Sequence, residues 1–291
     1  MTVLTWDDLL GRNLLTDRPV RMTIGVFDGL HIGHRRLIRS VVEGDGVDRS
    51  NSARSGRERP NSARSGTECR QERPGERPCV PLVVTFRQSP AAVLAPEIFP
   101  GFILTWRQKL ARLESLGIQA VVVIDFSEEM SNLSGKAFIG LLKENLTIEK
   151  IVVGHNFRFG KGRNAGTDVL KEMLSGTGTD VQVTEPVFWG ERIVSSSRIR
   201  TTIQEGDFSE AKAMLATAYG LDLRDVPAHP EGVGKLHFSK KDLKQVLPRQ
   251  GVYPVDCSVT GAGRPGKLTV GEDSLMLVAP GENGIETVYF E

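Results

Sequence analysis

The sequence predicts an α/β fold in which a doubly wound parallel sheet is followed by a small, mostly antiparallel β domain. Three observations support this. Uninterrupted apolar runs such as Ala120 to Ile124 are typical of strands that are buried on both faces of a parallel sheet. Amphipathic helical patterns separate these runs, as expected when helices cover both faces of the sheet. Beyond Asp225 the apolar runs become short and are broken by Gly and Pro, which favours an antiparallel sheet.

Strands and helices are predicted to alternate through the first domain. Val20, Met22, Ile24 and Val26 alternate as in a strand, and the apolar residues that follow recur at helical spacing. Further strands are predicted at 82–86, 120–124, 151–153 and 181–184. Further helices are predicted after the capping residue Thr105 (with Trp106, Leu110 and Leu113 on one side and Gly117 as the stop), around Phe138 to Leu142, over 167–174, and as a tandem pair from 196 to 219 with Asp207 as a cap.

The second domain is predicted to begin near residue 223, so that the chain divides into 1–222 and 223–291. Its short strands are predicted at 236–238, 252–258, 267–270, 274–278 and 285–290.

Composition and charge exclude several classes of protein. The chain has 291 residues, of which 39% are apolar and 25% are charged, which is ordinary for a globular protein. A net charge of +1 argues against a nucleic-acid partner, and no apolar run approaches the length of a membrane-spanning helix. The first eight residues lack a signal-peptide pattern, and three cysteines do not make a disulfide framework. We therefore expect a cytoplasmic protein without membrane contact. The sequence does not reveal the oligomeric state, and a monomer is slightly favoured.

A polar insert at about 44–79 interrupts the first domain. The hexapeptide at 51–56 is repeated at 61–66, and eight arginines against four glutamates give residues 49–78 a local charge of +4. Because the segment has almost nothing to bury, we predict a disordered loop whose two ends lie close together. A functionally neutral insertion is favoured, and an electrostatic contact with an anionic ligand or partner is the alternative.

The segment from Gly25 to His34 predicts a phosphate site at a turn from strand to helix. Glycines at 29 and 33 let a ligand approach the backbone, and the start of the helix offers free N–H groups and the positive end of a dipole. His31 and His34 close the segment and would aim ring nitrogens at the same spot. They are alternatively ordinary turn residues, or a metal pair, although zinc sites need three or four protein ligands.

Two motifs resemble the nucleotidylyltransferase superfamily. Gly25 to His34 is similar to its GxFDGxHxGH signature, and Val194 to Arg200 is similar to its (I/V)SSTxIR motif, with Ser197 in place of threonine. Members of the superfamily join a nucleoside monophosphate to a phosphorylated acceptor and release pyrophosphate. The resemblance implies a Rossmann-like sheet for the first domain.

The middle of the chain resembles the prokaryotic FAD synthetase family, whose members combine a riboflavin kinase with an FMN adenylyltransferase. The similarity covers about residues 20–220 and includes Thr85-Phe86 and Val153 to Gly160, followed by Arg163 and Gly166. It implies ATP and FMN as substrates, FAD as the product and magnesium as the metal.

The resemblance also implies roles for individual residues. His31 and His34 would bind the ATP phosphates and stabilise the reacting phosphorus, and Arg198 would hold the departing pyrophosphate. The remaining residues expected to bind ATP are Gly25, Phe27, Asp28, Gly29, Gly33, Ser196 and Ser197. Asp28 is alternatively a turn residue that satisfies local N–H groups, and the serines at 195–197 are alternatively a helix cap.

The same resemblance places the flavin near the loop after Val153. Phe159 would lie beside the flavin and Arg163 would help to bind it, whereas Phe157 is assigned to the core. Asn156 is the candidate for a contact with phosphate or magnesium, and also for the flavin site.

Two departures from the family refine the prediction. The chain lacks the Gly-Arg-x-Leu-Gly-x-Pro-Thr-Ala-Asn segment of the kinase module, and Gln88-Ser89 stands where the family has Pro-His. We therefore predict a monofunctional FMN adenylyltransferase whose C-terminal domain is a degenerate, kinase-like remnant. A nucleotidylyltransferase for another phosphorylated acceptor and a non-catalytic flavin- or nucleotide-binding protein stay open as alternatives.

Overall fold

The structure is a computed structural model that describes residues 1–12, 15, 18–44, 78–259, 262–279 and 284–291. The predicted disorder of the insert concerns mainly 45–77, which lie outside these residues. The residues that flank the insert both lie beside Arg21. A Cβ atom on Gly44 would meet the Arg21 guanidinium, and Cys79 and Arg21 both bond to the Glu149 carboxylate.

A parallel sheet forms the centre of the first domain, as predicted. Within the described residues it has six strands, in the order β1-β4-β3-β2-β5-β6. They are β1 (Thr2–Thr5), β2 (Val20–Ile24), β3 (Val80–Phe86), β4 (Ala120–Ile124), β5 (Ile148–Gly154) and β6 (Asp180–Thr184). Every residue of β4 is buried, which explains its uninterrupted apolar sequence.

Helices follow the strands along the chain. They are α1 (Trp6–Arg12), α2 (Ile32–Glu43), α3 (Pro90–Leu94), α4 (Trp106–Ser115), α5 (Glu128–Asn132), α6 (Gly135–Asn145), α7 (Thr167–Leu174), α8 (Ser196–Glu205) and α9 (Phe208–Leu215), with 3₁₀ turns at Pro96–Ile98, Lys161–Arg163 and Lys240–Asp242. Helix α4 begins with a capping box in which Thr105 and Gln108 bond reciprocally. The side chain of Asp207 caps α9, as the sequence predicts.

The order of the strands predicts a ligand crevice beside β2. From β2 the chain proceeds to β3 and β4 on one side, and then crosses to β5 and β6 on the other. In doubly wound sheets, ligands bind outside the carboxyl ends of the strands where the order reverses. Here that point lies between β2 and β5, and it is bordered by the segment 25–34 and by the loop that follows Gly154.

A second, antiparallel sheet forms the C-terminal part, which confirms the predicted fold class. A hairpin of β7 (Phe188–Trp189) and β8 (Arg192–Ile193) precedes it along the chain. Within the described residues the sheet order is β10-β11-β14-β13-β12-β15-β9. Its strands are β9 (Gly220–Asp222), β10 (His229–Pro230), β11 (Lys235–Ser239), β12 (Gly251–Val259), β13 (Ala262–Val270), β14 (Ser274–Val278) and β15 (Thr287–Phe290). Strand β9 pairs with β15, so residues 220–222, which were assigned to the first domain, already belong to the second sheet.

Backbone hydrogen bonds join the loop before α4 to the loop before β12. The Phe102 N–H donates to the Lys244 carbonyl at 2.8 Å, and the Phe102 carbonyl accepts from the Val246 N–H at 2.9 Å. Gly101 has a φ of 112°, and a Cβ atom there would lie 2.6 Å from the Val246 nitrogen. Only glycine therefore fits at this junction. In the described part of the chain, no helix is both long and apolar enough to cross a membrane.

Candidate functional site

The segment 25–34, which we call the corner, connects β2 to α2 through an unusual backbone. Phe27 and Leu30 have φ values of 51° and 46°, and Gly29 has a φ of 89°. Positive φ at residues other than glycine costs of order 1–3 kcal/mol each and persists only where the surroundings enforce it. Here the enforcement comes from packing, because the side chains of Phe27 and Leu30 are fully buried in the core.

The two histidines lie together at the start of α2. His31 is the N-cap residue, and its Nδ1 accepts a hydrogen bond from the His34 N–H at 3.3 Å. The two imidazole rings stack with their centroids 3.6 Å apart. Gly33 makes room for this arrangement, since a Cβ atom there would lie 3.2 Å from the His31 ring. The corner therefore presents two imidazoles beside the N–H groups of a helix start, where anions bind.

Both histidines are neutral in the protein without ligand. Burial lowers the pKa of His31 to about 4. The pKa of His34 is lowered as well, by burial first and then by the electrostatic influence of the neighbouring His31 and Lys109. The Nδ1 atom of His34 is buried and has no hydrogen-bond partner among the described residues. An anion at the corner would favour the charged imidazoles and so raise both pKa values.

Asp28 is bonded inside the protein, as its alternative assignment to local N–H groups predicts. Its side chain is 2% exposed, and its carboxylate accepts from the backbone N–H groups of Ile103 at 3.0 Å and Leu104 at 3.2 Å. The guanidinium of Arg200 donates to the same carboxylate at 2.5 Å. These internal bonds use both carboxylate oxygens, so Asp28 fastens the corner to the neighbouring loop and to α8.

Asp28 links the corner to the second motif, Val194 to Arg200. Besides the ion pair with Arg200, the Asp28 carbonyl accepts a hydrogen bond from the Ser196 hydroxyl at 2.8 Å. Ser195 caps α8, which agrees with the alternative reading of the serines as a cap, while the Ser197 side chain is exposed. Two segments that are separated by more than 160 residues along the chain are thus held side by side. The starts of α2 and α8 lie at one place.

Arg198 is bonded inside the protein. Its Nη1 donates to the carbonyls of Trp189 at 3.1 Å and Arg192 at 2.9 Å, and its Nη2 pairs with the Glu210 carboxylate. The guanidinium therefore ties the β7–β8 hairpin and α9 to α8. To bind pyrophosphate as predicted, Arg198 would have to replace at least one of these hydrogen bonds with a hydrogen bond to a phosphate oxygen.

The loop after β5 supplies the other border of the crevice. Asn156 is exposed there, and Arg163 is also exposed, with a φ of 57°. Phe159, the predicted flavin neighbour, is 7% exposed and stacks on Phe157 with centroids 5.3 Å apart. Phe157 is the more exposed ring of the pair, which reverses the accessibility that the sequence reasoning expected.

No metal cluster is preformed in the described part of the chain, because no group of three or more His, Cys, Asp and Glu side chains converges there. Asn156 offers an amide oxygen, which is a ligand type that suits magnesium.

Lys109 is a site residue that the sequence reasoning missed. It lies on α4 and is 5% exposed, and its Nζ donates to the Val26 carbonyl at 2.8 Å and to the Phe86 carbonyl at 3.4 Å. Burial lowers its pKa to about 8, although the charge of Asp28 acts in the opposite direction. A signal for its burial existed, because residue 109 falls on the same helical stripe as Trp106, Leu110 and Leu113.

Known proteins resemble this chain along most of its length. The family model of FAD synthetase matches residues 70–198. The bifunctional riboflavin kinase/FMN adenylyltransferase of Escherichia coli is 26% identical over 258 residues, which cover 86% of this chain and 72% of that protein. The protein of the same name from Bacillus subtilis is 26% identical over 259 residues, which cover 86% of this chain and 71% of that protein.

A solved structure supports the fold. The crystal structure of a protein from Streptococcus pneumoniae, titled a macrolide-efflux protein, covers 100% of this chain and 90% of its own, with a TM-score of 0.75 and 21% identity. At that identity the likeness shows the fold alone. The family match and the two relatives confirm the predicted resemblance to the FAD synthetase family and the predicted class of enzyme, a nucleotidyltransferase.

Proposed function

We propose that this protein, whose central segment matches FAD synthetases, transfers the AMP part of ATP to FMN, forming FAD and pyrophosphate, without phosphorylating riboflavin. The observation that carries the proposal is the meeting of the two motifs. Asp28 bonds to Arg200 through its carboxylate and to Ser196 through its carbonyl, so the corner and the start of α8 lie side by side.

The proposed reaction is an in-line displacement at phosphorus. A phosphate oxygen of FMN attacks the α-phosphorus of ATP, a P–O bond forms, and the bond to the β-phosphate oxygen breaks as pyrophosphate leaves. No protein nucleophile is needed, so catalysis consists of positioning and charge stabilisation. His31 and His34 would bind phosphate oxygens and become charged as they do so. N–H groups at the starts of α2 and α8 would complete the cradle, together with Ser197.

Magnesium would bind at this site together with ATP. Magnesium keeps most of its waters and would bind mainly through phosphate oxygens, so it needs few protein ligands. Asn156 would be its protein contact. The ion would neutralise part of the negative charge on the phosphates, and the chain's own groups would orient them.

We place the flavin at the Phe157–Phe159 pair, beside the exposed Arg163. Phe157 forms the outer face of the pair, so the flavin ring would meet Phe157 first and Phe159 would support it from below. Asn156 and Arg163 are close in sequence to this pair, and we assign them to the phosphate or the polar edge of FMN.

The absence of riboflavin kinase activity is part of the proposal. The second sheet keeps a kinase-like fold, but the sequence lacks the segment whose threonine and asparagine hold the nucleotide and its magnesium in that module. A fold without those side chains has no means of holding a second triphosphate for phosphoryl transfer.

One assay tests the proposal. Purified protein is incubated with ATP, magnesium and FMN, and FAD and pyrophosphate are measured; riboflavin replaces FMN in a parallel reaction. We expect FAD and pyrophosphate in equal amounts from FMN, and no FMN from riboflavin. Formation of FMN from riboflavin would refute the monofunctional assignment. Binding of FMN without turnover would favour a non-catalytic flavin-binding protein, and turnover only with another phosphorylated acceptor would favour a different nucleotidylyltransferase.

A further inference from the structure

Lys109 is a buried cation beneath the corner that the mechanism above does not use. Its side chain is 5% exposed, and it rises from α4 toward the carboxyl ends of β2 and β3. Lysine is almost never buried to this extent unless it is paired. In the described part of the chain, however, no carboxylate lies within ion-pair distance of its Nζ.

The hydrogen bonds of Lys109 point to the backbone of the corner. Nζ lies 2.8 Å from the carbonyl oxygen of Val26, which immediately precedes the strained Phe27, and 3.4 Å from that of Phe86. Both carbonyls stand at the edge of the sheet where the crevice lies. A neutral donor would suffice to satisfy two carbonyls, so the positive charge itself requires an explanation.

The neighbouring charges compensate that charge only in part. The carboxylate of Asp28 stabilises the ammonium electrostatically, but it is itself paired with Arg200. His34 supplies no negative charge, and Lys109 disfavours its charged form. Arg87 lies on the ring of Trp106, as Lys109 does, at 5.5 Å and 5.4 Å from its centroid. Apart from Asp28, which is shared with Arg200, the groups near the ammonium are cationic or neutral.

We propose that Lys109 is a positioning residue for the nucleotide phosphates: its ammonium fixes the Val26 carbonyl at the corner and supplies a positive charge that attracts the triphosphate. The inference rests on the proposed function. A charge that is held in place before the ligand arrives costs no reorganisation when the ligand binds. At about 10 Å and an effective dielectric constant of about 20, one such charge changes the affinity for a single phosphate charge by roughly tenfold.

Three substitutions separate the charge from the hydrogen bonds. Lys109→Arg keeps the charge, Lys109→Gln keeps an N–H donor without the charge, and Lys109→Met keeps only the shape. Lys150→Met is the matched control, because Lys150 is equally buried but pairs with Asp180 on a different edge of the sheet. For each variant the KM for ATP, kcat, the pH profile of kcat/KM and the melting temperature are measured in the FAD assay.

We expect the KM for ATP to rise about tenfold or more in Lys109→Gln and Lys109→Met, and less than threefold in Lys109→Arg and Lys150→Met. In the natural protein kcat/KM for ATP should fall above about pH 8, where the Lys109 ammonium loses its proton in the free enzyme. This fall should be absent from the Gln and Met variants and shifted to higher pH in the Arg variant.

The inference is wrong if the Gln variant keeps the natural KM for ATP and the natural pH profile, since the charge would then be dispensable. It is also wrong if every Lys109 variant loses activity only in proportion to its melting temperature, because Lys109 would then merely tie two strands together. Failure of the natural protein to form FAD at all would instead refute the proposed function. In that case, direct titration of each variant with ATP still measures the effect of the charge on binding.

Discussion

Replacement of Asp28 by asparagine should destabilise the protein strongly, because it leaves Arg200 without its counter-charge. Asparagine keeps one carbonyl oxygen, which can still accept from the N–H groups of Ile103 and Leu104. The Arg200 side chain is 13% exposed, so its charge is poorly hydrated once the carboxylate is gone. Breaking a buried ion pair by removal of one partner costs about 3–5 kcal/mol.

We expect a value near the lower limit, about 3 kcal/mol, because the Arg200 guanidinium keeps the Gly101 carbonyl at 2.9 Å and the face of Phe99. In a chain of this size such a loss lowers the melting temperature by about 6–12 °C. Urea denaturation followed by tryptophan fluorescence gives the free energy of unfolding. Asp225→Asn is the matched control, because Asp225 is exposed and pairs with the exposed Arg107, so its loss should cost at most about 1 kcal/mol.

A double-mutant cycle completes the test. The cost of Asp28→Asn is attributed to the buried positive charge of Arg200, which loses its counter-ion. If that is correct, the double variant Asp28→Asn/Arg200→Met should lose less free energy of unfolding than the sum of the two single variants, whereas Arg200→Lys, which keeps the charge, should not reduce the cost in this way. A loss in Asp28→Asn no larger than that in Asp225→Asn would refute the role of Asp28 as the link between the two motifs.

The remaining predictions concern the histidines and the insert. His31→Ala or His34→Ala should lower turnover by a factor on the order of 100–1,000, the usual cost of losing a preorganised donor, whereas the control His229→Ala in the second sheet should leave the rate unchanged. In the protein without ligand the pKa of His31 is about 4, and bound phosphates should raise it. Binding of ATP at pH 6 should therefore take up protons, and the affinity for ATP should fall as the pH rises through the raised pKa. Calorimetry in buffers of different ionisation enthalpy measures this proton uptake. Between pH 6.5 and 4, His31 is protonated in the unfolded chain but not in the folded protein. The free energy of unfolding should therefore fall as the pH falls, which an acid denaturation series measures. Deletion of residues 51–77 should leave turnover in the FAD assay within a few fold, and a larger loss would instead assign the basic insert a role at the site.

Local sequence patterns predicted most of the first domain because each element carries its own signal. The valine-rich run at 120–124 and the amphipathic stretch at 167–174 coincide with β4 and α7. The edge strand Thr2–Thr5 was missed, since only Leu4 of its four residues is buried and so little periodicity exists to detect. The pairing of β9 with the last strand was missed because it joins segments more than sixty residues apart.

Within the site, the sequence identified the two motifs but not the orientation of their side chains. Arg198 and Arg200 are two positions apart on α8, which turns them to different sides of the helix. Which of them faces the corner depends on how the helix packs, and the structure turns Arg200 toward Asp28 and Arg198 toward Glu210. The burial order of Phe157 and Phe159 depends in the same way on packing, here against Gly135 of α6.

The most direct test of the account is a crystal structure of the protein with a non-hydrolysable ATP analogue and magnesium. We predict that the phosphates lie between the imidazoles of His31 and His34 and the start of α8, within hydrogen-bond distance of both segments. Phosphates bound elsewhere, with the corner free of ligand, would contradict the claim that the two motifs form one site.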